Sequence, residues 1–306
     1  MQRCWRKLGL AMAVLGLFLA DSARANPYDI SLRGLGRPAS ASLSDPAVQR
    51  YRLLSTEVAA TMMPKPVQPA ETLGMSGFEF SFTNTLTDIH QQAPYWQGQP
   101  GSPVLEGVLP SHGARQVPDM LWTPTLHLRK GLPLSSEIGV SATYLSFSEM
   151  YMIAAEGKIA IYESFFRWVP ALSARAAVGR LFGSSDLDMV TGEADIMTSL
   201  PFGIGGMLQA TPFAGYGRMF AHVNSAILDE TPYSVVDSSS DQHGGDSGSL
   251  YNFPTIDWQD NFFPRFFAGL RLNIAMVELS YEADWTIMDF ANKQLVSHSF
   301  KIGFDV

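Results

Sequence analysis

Ten charged residues stand on the polar parity of alternating runs, opposite the apolar rows: Glu156, Lys158, Arg175, Glu193, Asp195, Arg271, Glu278, Glu282, Asp284 and Lys301. Six are acidic and four basic, so on neighbouring strands they can pair across a ladder or line a polar path. Arg271 illustrates the pairing. A two-residue turn after Ile274 sets it opposite Ser280 and diagonal to Glu278 and Glu282, whereas a four-residue turn sets it opposite Glu278. Sharper chemistry is sparse. Asp237, Asp241, Asp246, Asp257 and Asp260 could gather a cation, but they lack the regular spacing of a calcium loop. His298 sits in an apolar row with no serine partner to assign. No catalytic residue, metal or cofactor is expected, and the chain reads as a non-enzyme.

These charges must be positioned by strands. Phe266, Ala268, Leu270, Leu272 and Ile274 share one parity, Val277, Leu279, Tyr281, Ala283 and Trp285 the next, and Val296, His298, Phe300, Ile302, Phe304 and Val306 a third. Period two is the signature of a strand with two unlike faces. Seven earlier runs behave alike: 77–87, 120–129, 138–144, 153–162, 167–182, 187–200 and 204–216. Pro124 cannot donate to a ladder, and a bulge is expected there. The segments 88–118 and 221–263 read as long loops, and the other connections are short. With ten strands, both long loops fall on one side and the C-terminus on the other, the layout of an outer-membrane barrel. A soluble sheet whose apolar rows pack on a second layer is the alternative.

Residues 1–25 carry an export signal: Arg3, Arg6 and Lys7, an apolar run from Leu8 to Ala20, and Ala23-Arg24-Ala25. The single cysteine, Cys4, lies within it, so the mature chain carries neither disulfide nor thiol. Removing residues 1–25 takes away four of the 21 basic and one of the 29 acidic residues, leaving 17 against 28. That balance excludes a nucleic-acid partner. Residues 26–76 differ from the rest. Asp45-Pro46 starts a helix carrying Val48, Tyr51, Leu54 or Leu53, Val58 and Met62, and Pro64, Pro66 and Pro69 end it.

Two resemblances extend this reading. The final strand, through Phe300, Ile302, Phe304 and Val306, resembles the closing strand of bacterial outer-membrane β-barrels. Gly34-Leu35-Gly36-Arg37, with Asp45-Pro46 downstream, is similar to the N-terminal region of FadL-type transporters of hydrophobic compounds. The latter implies a plug at Gly34, Gly36, Arg37 and Asp45, and passage of small hydrophobic molecules through a largely closed lumen, with a pocket at Phe213, Met207 and Met197. His243 to Ser249 resembles the nucleophile segment of trypsin-like proteases, but its low-complexity surroundings make it surface loop.

The expected architecture is all-β: a transmembrane antiparallel up-and-down β-barrel of about 10–12 strands over 77–306, with a short N-terminal helical plug or periplasmic cap over 26–76. Outer-membrane lipid, the barrel-assembly machinery and a small hydrophobic ligand are the implied partners. A non-transporting surface scaffold acting through the loops 88–118 and 221–263 is the rival function. As structure, the ten charges read as pairs filling a narrow barrel.

Overall fold

The computed structural model describes residues 28–98, 104, 117–163, 168–204, 208–229, 250–288 and 292–305. Residues 1–25, expected to carry an export signal, and Met207, Asp237, Asp241, His243–Ser249 and Val306 lie outside the described residues. Ten strands form the wall: β1 (Phe78–Asp88), β2 (Met120–Leu132), β3 (Ser136–Tyr144), β4 (Tyr151–Tyr162), β5 (Ala171–Phe182), β6 (Leu187–Ser199), β7 (Leu208–Ser225), β8 (Phe262–Ile274), β9 (Val277–Met288) and β10 (Lys293–Asp305). Each pairs antiparallel with its neighbours in sequence, and β1 closes the ring on β10 from Glu79↔Asp305 to Asp88↔Val296. Short pieces at Phe202–Ile204, Leu228–Asp229 and Leu250–Tyr251 extend the connections.

The wall is inverted relative to a soluble protein. Ile138, Val140, Ile153, Val178, Ile196, Leu270, Phe300 and Ile302 are exposed on the outside, while Glu79, Arg129, Arg175, Glu193, Arg265 and Lys301 are buried inside. Charged side chains are almost never fully buried in soluble cores unless paired, and water does not favour a continuous apolar belt. Eleven residues at roughly 3.3 Å each, tilted about 40°, give an apolar band about 28 Å tall. Exposed aromatics edge it at both ends, with Trp122, Tyr144, Tyr151 and Trp285 at one and Phe78, Trp168, Phe202 and Phe304 at the other. The chain is therefore a transmembrane β-barrel of the outer-membrane type, and its apolar rows face lipid rather than a second sheet.

Two local expectations change. Pro124 stays in regular register opposite Asn84, with no bulge, because the β2–β3 ladder stops at Thr125↔Thr143 and asks for no donor from it. The irregularity falls instead between Ala160 and Tyr162, on the β4–β5 ladder. Strand β7 runs on to Ser225, into the stretch read as loop.

The N-terminal segment sits at the end of the barrel that carries the long loops, not at the short-turn end as a periplasmic cap. A 3-10 helix at Leu32–Leu35 and helix α1 (Pro46–Met62) pack there with a short helix α2 (Pro94–Gln97) from the β1–β2 loop. The Asp45 carboxylate accepts from the Ala47 amide at 2.8 Å, and Pro46 opens the first turn, as N-caps and N1 prolines do. The apolar side of α1 meets residues from strand ends around the rim and from the β7–β8 loop: Tyr51, Leu54, Val58 and Met62 share a core with Leu121, Met152, Met189, Phe253, Phe263 and Leu295. Tyr51 stacks on Phe253 with centroids 4.7 Å apart. Burying side chains of this size contributes roughly 1.5–3 kcal/mol each.

Candidate functional site

Inward parity on each strand places charges in the lumen, and neighbouring strands offer opposite signs. From β9 onward the contacts run around the barrel. Glu278 meets Lys301 of β10 at 2.6 Å, and Lys301 meets Glu79 of β1 at 3.0 Å. Arg129 of β2 meets Glu79 at 3.1 Å and, through Nε, Glu156 of β4 at 2.6 Å. Arg175 of β5 joins Glu156 at 2.8 Å to Glu193 of β6 at 3.1 Å, and also bonds Asp195. Arg265 of β8 contacts Glu193 at 2.5 Å and Asp284 of β9 at 3.1 Å. These last two are close charge contacts whose angles fall outside hydrogen-bond alignment. The series starts at Glu278 and ends at Asp284 on the same strand, so it is one turn of a spiral that follows the tilt of the strands.

A second layer fills the space inside this spiral. After Met62 the chain leaves the rim and descends the lumen, and its backbone is held on every side. Arg175 Nη2 donates to the Pro64 carbonyl at 3.5 Å and Arg129 Nη2 to the Pro66 carbonyl at 2.8 Å. Lys158 Nζ donates to the carbonyls of Pro69 and Glu71 at 3.1 and 2.8 Å, and pairs with Glu137 at 2.9 Å. The Val67 amide donates to Glu282 at 2.9 Å, and the Ala70 amide to Ser199 at 3.0 Å. Lys65, itself from the segment, lies 3.6 Å from Asp284. Prolines suit this path: an extended chain without regular structure leaves its carbonyls free for the lumen cations, and Pro has no N–H to satisfy.

At the foot, Leu73 donates to Glu137 at 3.3 Å, and the Gly131 amide donates to Gly77 at 3.0 Å. A Cβ on Gly131 would lie 1.8 Å from the Gly74 carbonyl oxygen, so only glycine admits this approach. An apolar patch accompanies the charges. The Phe213 ring lies over Gly269 and the Phe267 ring over Gly215, residues that pair directly across β7 and β8. Both rings pack with Met197, Ala171 and the segment's Ala70. Phe213 and Met197 thus belong to a filled patch.

Of the ten charges read from sequence, Lys158, Arg175, Glu193, Asp195, Glu278, Glu282, Asp284 and Lys301 are buried inside, and Glu156 is nearly so. Arg271 stands opposite Ser280, but its partner is Glu71 of the threaded segment, at 3.4 Å, rather than Glu278 or Glu282. Sequence reasoning missed Arg129, Glu79, Glu137 and Arg265, although each stands on the polar parity of its strand. Gly34, Gly36, Arg37 and Asp45 do not enter the lumen: Gly34 and Gly36 form and end the 3-10 helix, Arg37 is exposed, and Asp45 caps α1. The residues that plug the barrel are 64–73. Asp257 lies 3.3 Å from His222, and its carbonyl accepts from Asp260 and Asn261 in a loop turn. His298, on the lipid face, pairs with the Tyr281 hydroxyl at 2.8 Å.

A polar knot ties the cap to the loops. Glu57 of α1, fully buried, accepts from Tyr95 at 2.5 Å, Trp96 Nε1 at 2.6 Å and bonds His90 Nδ1 at 2.6 Å. Lys293 donates to the Tyr95 hydroxyl at 2.8 Å. Burial, and then the adjacent Glu57 carboxylate, raise the Tyr95 phenol well above its ordinary range.

No protein-family model matches the chain, and no curated protein matches it. Among solved structures it is similar to Ail, the attachment invasion locus protein of Yersinia pestis, at 8% identity over 76% of this chain and 99% of that one, with a TM-score of 0.28. It is also similar to LpxR from Salmonella typhimurium, at 9% identity over 75% and 99%, TM-score 0.34. A third is the translocator domain of autotransporter NalP from Neisseria meningitidis, at 8% over 84% and 95%, TM-score 0.29. The barrel assignment rests on this chain's own ladders and burial. The FadL-type resemblance is not supported: the wall closes with ten strands, where that family has fourteen.

Proposed function

We propose that this protein is a non-conducting barrel of the outer membrane, sealed by its own chain, that anchors a folded cap and long loops as a binding scaffold. The observation that carries this reading is the segment 64–73, which is bonded to β2, β4, β5, β6 and β9 at once. A solute would have to displace it and leave Arg129, Arg175, Lys158 and Glu282 short of partners in a site of low dielectric. Export through residues 1–25, insertion by the barrel-assembly machinery and a belt of outer-membrane lipid belong to the same reading.

Passage of small hydrophobic molecules is the other reading, and Phe213, Phe267 and Met197 are its best support. It requires the segment to swing away, and the path it would open is lined mainly by ions. Purified protein in planar bilayers and in sugar-loaded liposomes distinguishes the two. Silent bilayers and liposomes that do not swell support the scaffold. Steady conductance, or faster entry of a fluorescent hydrophobic probe into proteoliposomes than into empty ones, supports permeation.

A further inference from the structure

The path of the chain fixes where its N-terminal part ends up. Tyr28 donates its amide to Phe147 and Asp29 accepts from the Glu149 amide, both in the β3–β4 turn. Ser31 donates to Val104 in the β1–β2 loop, and the Leu32 amide to Asp186 in the β5–β6 turn. All three connections belong to the long-loop end. The C-terminal strand, in contrast, runs down to Asp305 beside Glu79 at the short-turn end. Between them the chain makes one descent, from Met63 to Gly77, and that descent fills the lumen.

We infer that the barrel displays its own N-terminal segment at the cell surface: residues 28–62 lie outside the membrane with the long loops, and the foot of the segment faces the periplasm with the short turns and the C-terminal end of β10. Three arguments carry this. Outer-membrane barrels keep short turns in the periplasm and long loops outside. Fifteen residues reach at most about 50 Å when extended, ample for one crossing of the band, and the contacts of Pro64, Pro66, Pro69, Glu71 and Leu73 follow one another down the wall in a single descent. The fixed contacts of Tyr28, Asp29, Ser31 and Leu32 lie on three separate connections of one rim, so the chain does not double back before α1. Because the segment touches most of the wall, it must lie in the lumen before β1 seals against β10. A polypeptide joined ahead of residue 28 would be carried to the outside by the same route. This inference rests on the barrel assignment and not on whether the lumen conducts.

The test is labelling of intact cells with a membrane-impermeant maleimide, using single substitutions at three exposed sites: Gln259→Cys in the β7–β8 loop, Ala41→Cys in the cap and Ser76→Cys at the foot. Heat-modifiable migration confirms that each variant is folded, and Ser44→Cys replaces Ala41→Cys if the latter fails to fold. Labelling of Gln259→Cys and Ala41→Cys in intact cells, with Ser76→Cys labelled only after permeabilisation, is the expected result. Labelling of Gln259→Cys without Ala41→Cys overturns the threading while leaving the orientation of the barrel intact. Labelling of Ser76→Cys in intact cells overturns the display altogether. Bilayer conductance, read on the same protein, reports separately on the sealed lumen.

Discussion

Arg129 reaches the backbone of Pro66: its Nη2 donates to that carbonyl at 2.8 Å while Nε and Nη1 hold Glu156 and Glu79. One guanidinium therefore joins the threaded segment to β1 and β4 together. A planar fork of five donors suits this role, and an ammonium cannot copy it.

Arg129→Met leaves the Pro66 carbonyl and part of Glu79 and Glu156 uncompensated in a buried site. Breaking such a pair costs about 3–5 kcal/mol. The expected result is a lower temperature for loss of the fast-migrating folded form in electrophoresis, with Arg129→Lys falling between the two.

Gly131→Ala puts a methyl group where the Gly74 carbonyl oxygen stands, 1.8 Å away. The foot of the segment must shift, at a cost of roughly 1–3 kcal/mol. Protease added from the periplasmic side should cut between residues 73 and 77 faster than in the parent, with the barrel itself intact.

Glu57→Ala removes the acceptor shared by His90, Tyr95 and Trp96. Bonds to a charged group contribute about 1.5–3 kcal/mol each, and two of these donors lie in a dry core. The cap should become sensitive to protease, whereas the heat-modifiability of the barrel should change little because Glu57 touches no lumen residue of the spiral.

High pH should act on the same region. Burial raises the Tyr51 phenol, and burial with Glu57 raises that of Tyr95, above the ordinary value of 10.0. An unfolded phenol releases its proton near pH 10 while these two keep theirs, so their contribution to stability is complete below that pH and is lost as pH rises past it. In a tyrosinate absorbance titration, the signals of Tyr51 and Tyr95 should appear only as the cap unfolds.

The wall was legible because its information is local. Alternation over ten residues marks a strand whatever lies beside it, and the two-residue turn at Ala275-Met276 sets Arg271 opposite Ser280. Helix α1 was legible from Asp45-Pro46 for the same reason. The threaded segment was not. Pro64, Pro66 and Pro69 announce only the end of a helix, and their partners Arg175, Arg129 and Lys158 lie 63 to 111 residues away. The knot at Glu57 was missed too, because a glutamate in a helix and a His, Tyr and Trp in a loop have no shared period to reveal them. The glycines of 34–37 drew attention to the wrong part of the N-terminal segment.

The spiral of charges also bears on how the barrel comes together. Because side chains alternate faces, a slip of one residue in the β5–β6 ladder would turn Glu193 and Asp195 outward into hydrocarbon and strand Arg175 among apolar groups. Slipped ladders are thus penalised wherever the spiral crosses them, and the ion spiral serves as a proofreading device for register.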